Sequence, residues 1–264
     1  MTYLIALDDG HGMQTAGKRT PHIASLGRYI PENEFNRAVV GFLDKELKRC
    51  GFRTLLVAQT DADTSLESRV ALANKAGAHF YLSNHYDALD GKFDGPGKDP
   101  EGFTAFVYLN NSNTKSGQFA KLAVKHLAAG TTQKNRGVKE ANYYVLRATK
   151  MPAALIECGF MDNEREALLM VNVAFQKEVA QELTKAMCEF YGMKYVAVTT
   201  EVPTKREETP VANSLTSTAK QDLKELLKET YKLGIMKVDH SDRGDRMTDS
   251  ETLGLVISVV KRTL

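Results

Sequence analysis

Four side chains in this sequence have the chemistry of a hydrolytic metal site: His11, Glu32, His85 and Glu157. His11 stands in Asp8-Asp9-Gly10-His11-Gly12, directly after the apolar run Leu4-Ile5-Ala6-Leu7. Glu32 opens Glu32-Asn33-Glu34-Phe35-Asn36 at the head of a helical pattern, His85 closes an apolar stretch, and Glu157 follows Ala153-Ala154-Leu155-Ile156. Two imidazoles and one carboxylate with an open fourth position are the ligand set of a catalytic rather than a structural zinc. With one anionic ligand the ion keeps net positive charge, so it acidifies a bound water to a pKa of about 7 and polarises a carbonyl. Such chemistry needs a base beside the water, and Glu157 is the candidate. Its apolar approach implies partial burial, which raises a carboxyl pKa. Each residue alone also has an ordinary reading. A histidine after glycine is commonly a turn residue, Glu32 and Glu34 both suit the first turn of a helix, and Glu157 could sit on the surface at a strand end. Four such residues on the sheet edge where an α/β site belongs is the stronger observation. His22, His79, His126 and His240 are read as non-ligands, with the loop of His22 bordering the site.

The elements that must position these groups follow from periodicity. An apolar run ended by a Gly-flanked polar turn predicts a buried parallel strand leaving the sheet. Residues 12–31 lack periodicity and read as a long functional loop. Phe35, Val39, Phe42, Leu43 and Leu47 recur at helical spacing up to Gly51. Further strands are expected at 52–57, at 79–85 with His85 in the final turn, at 103–109, at 143–147, and at 152–157 with Glu157 at the end. Helices are expected over 66–76 and 116–129, and one long final helix over 164–191 with a capping cue at Asp162-Asn163. This alternation predicts an α/β fold: a mostly parallel twisted sheet flanked by helices, with a small C-terminal α-helical domain. Residues 1–195 would form the catalytic domain and 196–214 an exposed linker rich in Thr, Glu, Pro and Lys. Residues 215–264 would form a helical unit too small for much of a core, with amphipathic patterns from Leu223 and from Leu253.

Composition removes several function classes. A formal charge of +2 over 264 residues makes no case for a nucleic-acid surface, while permitting weak attraction to an anionic wall polymer. The three cysteines, Cys50, Cys158 and Cys188, are widely spaced and odd in number, which points to buried thiols rather than disulfides or a CxxC zinc cluster. No apolar run reaches membrane-spanning length, so no membrane insertion is expected. Met1-Thr2-Tyr3 leads straight into the first strand without a signal-like segment, predicting cytoplasmic synthesis without a signal peptide, and retention there unless another agent releases the protein. A phosphate-cradling loop at Gly10 and Gly12 lacks the P-loop spacing and its Lys-Ser/Thr, and the His-x-x-Glu pair common in zinc carboxypeptidases is absent.

Four blocks taken in order resemble the zinc-dependent N-acetylmuramoyl-L-alanine amidases of the type 3 family. They are Asp8 to Gly12, Glu32 to Asn36, Ser83-Asn84-His85-Tyr86-Asp87, and Ala154-Leu155-Ile156-Glu157-Cys158-Gly159-Phe160-Met161-Asp162-Asn163, and the resemblance covers residues 1 to about 192. It implies hydrolysis of the amide between the lactyl group of N-acetylmuramic acid and L-alanine in peptidoglycan. It also implies one Zn2+ held by His11, Glu32 (four before Asn36 in Glu-x-x-x-Asn) and His85, with Glu157 as the catalytic glutamate that moves the proton. Asp9 stands where the family commonly has proline, and Tyr86-Asp87 follow His85 where an asparagine is common. Neither change touches a ligand, so both bear on substrate preference. Related enzymes often carry a wall-targeting module after the catalytic domain, so residues 215–264 are expected to bind a secondary cell-wall polymer, to pair with a second copy as a homodimer, or to pack as a hairpin. The expected role is a phage endolysin lysing its host wall, with a sporulation or mother-cell autolysin, or a non-catalytic peptidoglycan-binding protein, as alternatives.

Overall fold

The computed structural model describes residues 2–58 and 60–198. In chain order the elements are β1 (Leu4–Asp8), α1 (Glu32–Arg49), β2 (Arg53–Leu56), α2 (Leu66–Lys75), β3 (Phe80–Asp87), β4 (Phe103–Val107), α3 (Lys115–Gly130), β5 (Asn135–Glu140), α4 (Tyr144–Arg147), β6 (Ala153–Phe160), α5 (Glu164–Leu169) and α6 (Val173–Tyr191). All belong to the unit Met1–Ala197. The C-terminal helices expected from Leu223 and Leu253, and the linker from 199 onward, lie outside the described residues.

The six strands make one sheet in the order β2-β1-β3-β6-β4-β5. β1, β2, β3 and β6 run parallel, while β4 is antiparallel to β6 and parallel to β5. The mostly parallel, helix-flanked sheet is therefore present, with one edge reversed. Continuous apolar strands such as Leu4–Leu7 require cover on both faces. One face carries Ile5, Leu7, Phe80, Leu82 and Ile156 against α1, α3 and α6. The other carries Leu4, Ala6, Tyr81 and Leu155 against α2 and α4. Phe35, Val39, Leu43 and Leu47 of α1 are fully buried, each large side chain contributing about 1.5–3 kcal/mol. That contribution fixes the rotation of α1 about its axis and so aims its first residue, Glu32. β1 connects through α1 to β2 on one side and β3 connects toward β4 on the other, so the strand order reverses between β1 and β3 and opens a crevice at their carboxyl ends. No described helix is long and apolar enough to cross a membrane.

Three elements differ from the sequence expectation. Residues 143–147 are a helical turn rather than a strand: the N–H groups of Leu146 and Arg147 both donate to the Tyr143 carbonyl. The aromatic and β-branched composition that suggests a strand instead serves to bury Val145 and Leu146 against α2. The long final helix is two, because the Asn172 side chain accepts hydrogen bonds from the N–H groups of Ala174 and Phe175 and so starts a new helix there. β5, of sequence Asn-Arg-Gly-Val-Lys-Glu, has no alternation to announce it and exists by pairing with β4.

Candidate metal centre

His11 is placed by a tight turn after β1. Gly10 (φ +39°) and His11 (φ +57°) are both left-handed, a conformation that costs a non-glycine residue of order 1–3 kcal/mol unless its surroundings impose it. The surroundings do so here. Asn33 Nδ2 donates to the carbonyls of Asp9 and Gly10 at 2.7 and 2.8 Å, and Arg69 Nη2 donates to the His11 carbonyl at 2.7 Å. A Cβ on Gly10 would lie 2.4 Å from the His85 ring, so only glycine lets the turn pass beneath that imidazole.

Glu32, the first residue of α1, is 1% exposed and sits where the helix dipole favours a carboxylate. Its Oε1 accepts from the Tyr86 N–H and from Asn36 Nδ2, both at 3.1 Å, and lies 2.9 Å from His85 Nδ1. Its Oε2 lies 3.3 Å from His11 Nε2. Glu34, the competing carboxylate, turns outward into a bidentate pair with Arg28 at 2.7 and 2.8 Å. One donor atom each from His11, Glu32 and His85 fall within 4.8 Å of one another, a set able to hold a metal ion.

His85 and Glu157 lie inside their strands rather than at the ends expected. They face each other in register across β3 and β6. The neighbouring β1 stops at Asp8, opposite Ser83, so β3 runs on past it and carries His85 beyond the end of β1. Glu157 is partly exposed, but its Oε2 is sealed from solvent with no hydrogen-bond partner among the described residues. The other histidines are engaged elsewhere: His22 packs edge-on to Tyr29, His79 Nδ1 accepts from the Leu4 N–H, and His126 pairs with Glu189 at 2.7 Å. His240 lies outside the described residues. All three cysteines are buried free thiols.

The electrostatics suit a cation. Burial pushes the His11 imidazole down to about 4, with Glu32 opposing and His85 and Lys18 adding to the depression. Burial also works against a charged His85, yet the hydrogen bond and charge of Glu32, helped by Glu157 and Asp8, raise it to about 9. Burial would raise Glu32, but His85, His11 and Asn36 outweigh it and hold that carboxyl well below its ordinary value. A neutral His11, an ionised Glu32 and a positive charge favoured at His85 are what a divalent ion would satisfy. Burial lifts Glu157 to about 8; His85 opposes this, and Glu32 and Asp87 add to it.

A cavity of about 440 Å³ opens beside the metal-ligand candidates. His11, His85 and Glu157 line it together with Lys18, Leu66 and Tyr143. Residue chemistry alone missed Lys18, Tyr143 and Arg69, all of which line the cavity. Arg69 is a charged residue beside Val70 on the buried stripe of α2. That misplaced charge was the available signal.

A sequence model of the family described as N-acetylmuramoyl-L-alanine amidase matches residues 5–189. The N-acetylmuramoyl-L-alanine amidase LytC of Bacillus subtilis is 28% identical over 187 residues, which cover 71% of this chain and 35% of that protein. The chain thus spans about a third of the length of LytC. The endolysin of Bacillus phage SPP1 is 31% identical over 199 residues, covering 74% of this chain and 68% of the endolysin. The crystal structure of an N-acetylmuramoyl-L-alanine amidase from Clostridium difficile 630 superposes with a TM-score of 0.64 at 25% identity, over 72% of this chain and 97% of that one. Matched from Ile5 to Glu189, the chain belongs to the type 3 N-acetylmuramoyl-L-alanine amidase family.

Proposed function

We propose that this protein hydrolyses the amide bond between the lactyl group of N-acetylmuramic acid and L-alanine in peptidoglycan. In this reading His11, Glu32 and His85 hold one Zn2+, and Glu157 is the acid–base residue. The observation that carries it is the convergence of those three donors within 4.8 Å, with Glu157 in register beside His85 at one cavity, in a chain that belongs to an amidase family. Zinc suits two imidazoles and a carboxylate, and when bound it supplies a Lewis acid for the carbonyl and lowers the pKa of water.

The protein's own part is positional. Glu157, beside His85 across β3 and β6, takes a proton from the attacking water and returns it to the departing alanine nitrogen. Burial of this carboxyl, which holds it up near 8 without metal, brings it into the range where it can do both. Leu66 and Tyr143 give the cavity an apolar wall, and Lys18 sets a cation among the carboxyl groups of Asp63, Asp87 and Glu157.

The test is digestion of purified peptidoglycan with and without a chelator, with two products followed together. New N-terminal alanine without new reducing ends, abolished by chelation and restored by zinc, supports the reading. New reducing ends would mean a glycosidase, and tight binding without product would mean a peptidoglycan-binding protein. A role in lysis of a phage host is supported by the endolysin relative, 31% identical over 199 residues. Residues 215–264 are proposed to bind a secondary wall polymer. Deleting 196–264 should then weaken pelleting with intact walls, and size-exclusion chromatography of the same pair tests pairing of two copies instead.

A further inference from the structure

We propose that Ser83 and Asp8 form a positioning relay that decides which nitrogen of His85 faces the metal; this rests on the ligand reading above. Ser83 Oγ lies 3.0 Å from His85 Nε2 and 2.8 Å from Asp8 Oδ2. Asp8 is pinned as an acceptor: Arg69 Nη1 donates to its Oδ1 at 2.5 Å and the Tyr81 hydroxyl to its Oδ2 at 2.8 Å. Every member behind the imidazole is buried, with Asp8 and Arg69 at 1% exposure and Ser83 at 0%. A carboxylate held by a guanidinium has no hydrogen to give, so the single Ser83 hydroxyl hydrogen goes to Asp8. What Ser83 then offers His85 is a lone pair. The imidazole must answer with Nε2–H, which leaves the lone pair of the neutral ring on Nδ1, the nitrogen 2.9 Å from Glu32 Oε1.

The sheet makes this alignment unavoidable. Asp8 and Ser83 are register partners across β1 and β3, and Ser83 and His85, two apart on one strand, share a face. Neutral imidazole has two tautomers, and one of them would point N–H at the metal position. A fixed partner on the far nitrogen removes that choice, the general role of groups hydrogen-bonded behind metal-ligating histidines.

Two measurements test the relay. In zinc-loaded protein labelled with 15N-histidine, two-bond 1H–15N correlations identify the protonated ring nitrogen, with His85→Ala assigning the signals. Nε2–H on His85 is expected; zinc on Nε2 with Nδ1 protonated would overturn the proposal. Zinc affinity, read by competition with a chromophoric chelator, should fall about 10–100-fold in Ser83→Ala. The metal-free variant should melt near the wild type, because Asp8 keeps Arg69 and Tyr81 as partners. Affinity within about threefold of wild type would sink the relay, because partners of this kind usually matter by tenfold or more. Should Ser83→Ala fail to fold, the wild-type spectrum still decides. Wild-type affinity in His85→Ala would instead bring down the ligand assignment itself, a result distinct from either of the others.

Discussion

Glu157→Gln keeps the shape of the side chain and removes its ability to ionise, so it separates proton transfer from metal binding and from folding. For turnover, losing the acid–base residue should cost about 10²–10⁴-fold in kcat, equivalent to roughly 2.7–5.4 kcal/mol of barrier. For metal binding little should change, because Glu157 is not one of the three donors within 4.8 Å. For stability the sign follows from the raised carboxyl. In the metal-free fold Glu157 titrates at about 8 instead of 4.5, so the unfolded chain loses this proton first. The folded protein therefore loses stability as pH climbs from about 4.5 to about 8, and the slope vanishes above that. Glutamine does not titrate, so metal-free Glu157→Gln should gain on the wild type across that window, with the gap between melting midpoints wider at pH 8 than at pH 5. The assays are release of N-terminal alanine from peptidoglycan, zinc competition, and thermal melts of chelator-treated protein at both pH values. Turnover within tenfold of wild type would refute the assignment of Glu157 as the base. A gap between midpoints that stays constant from pH 5 to pH 8 would refute the burial argument behind it.

Zinc binding should itself depend on pH. With His85 held at about 9 in the metal-free protein, each zinc displaces its proton, and apparent affinity should rise about tenfold per pH unit between 6.5 and 8.5; a flat profile in competition titrations would contradict the arrangement. Arg69→Met strips the counter-charge from Asp8, which is 1% exposed. It should destabilise the fold by about 3–5 kcal/mol, lowering the melting midpoint by roughly 6–20 °C. Burial works against an ionised Asp8, but Arg69, His85 and Ser83 hold its carboxyl below 3.8. The wild-type advantage should therefore be full above that value and disappear as pH falls through the lowered folded value; an unchanged midpoint at pH 7 would count against a structural role for the pair. Gly10→Ala places a Cβ 2.4 Å from the His85 ring at a φ of +39°. Zinc affinity should drop by more than about tenfold, as for a displaced ligand partner, and affinity equal to wild type would show that the turn yields instead.

The three candidate ligands and the candidate base are each marked locally in the chain: His11 by a glycine turn after an apolar run, Glu32 by a helix start, His85 and Glu157 by apolar stretches ending in a polar residue. Local signals, however, say which face a residue occupies and not what lies opposite. Glu32 and Glu34 carry the same chemistry at the same helix mouth, and what separates them physically is Arg28, which draws Glu34 into a surface pair. The depth of His85 and Glu157 inside their strands depends on where β1 stops beside β3, a property of the assembled sheet. β5 is a strand only because β4 is there to pair with it. Arg69 makes the same point most sharply. A guanidinium on the buried stripe of α2 reads as an error in the helical pattern until its counter-charge is found 61 residues earlier at the end of β1. Residues that touch the metal or the substrate are constrained by chemistry and so betray themselves by type. Residues that hold them in place are constrained only by register, so Ser83 and Asp8 acquire their meaning when β1 and β3 are laid side by side.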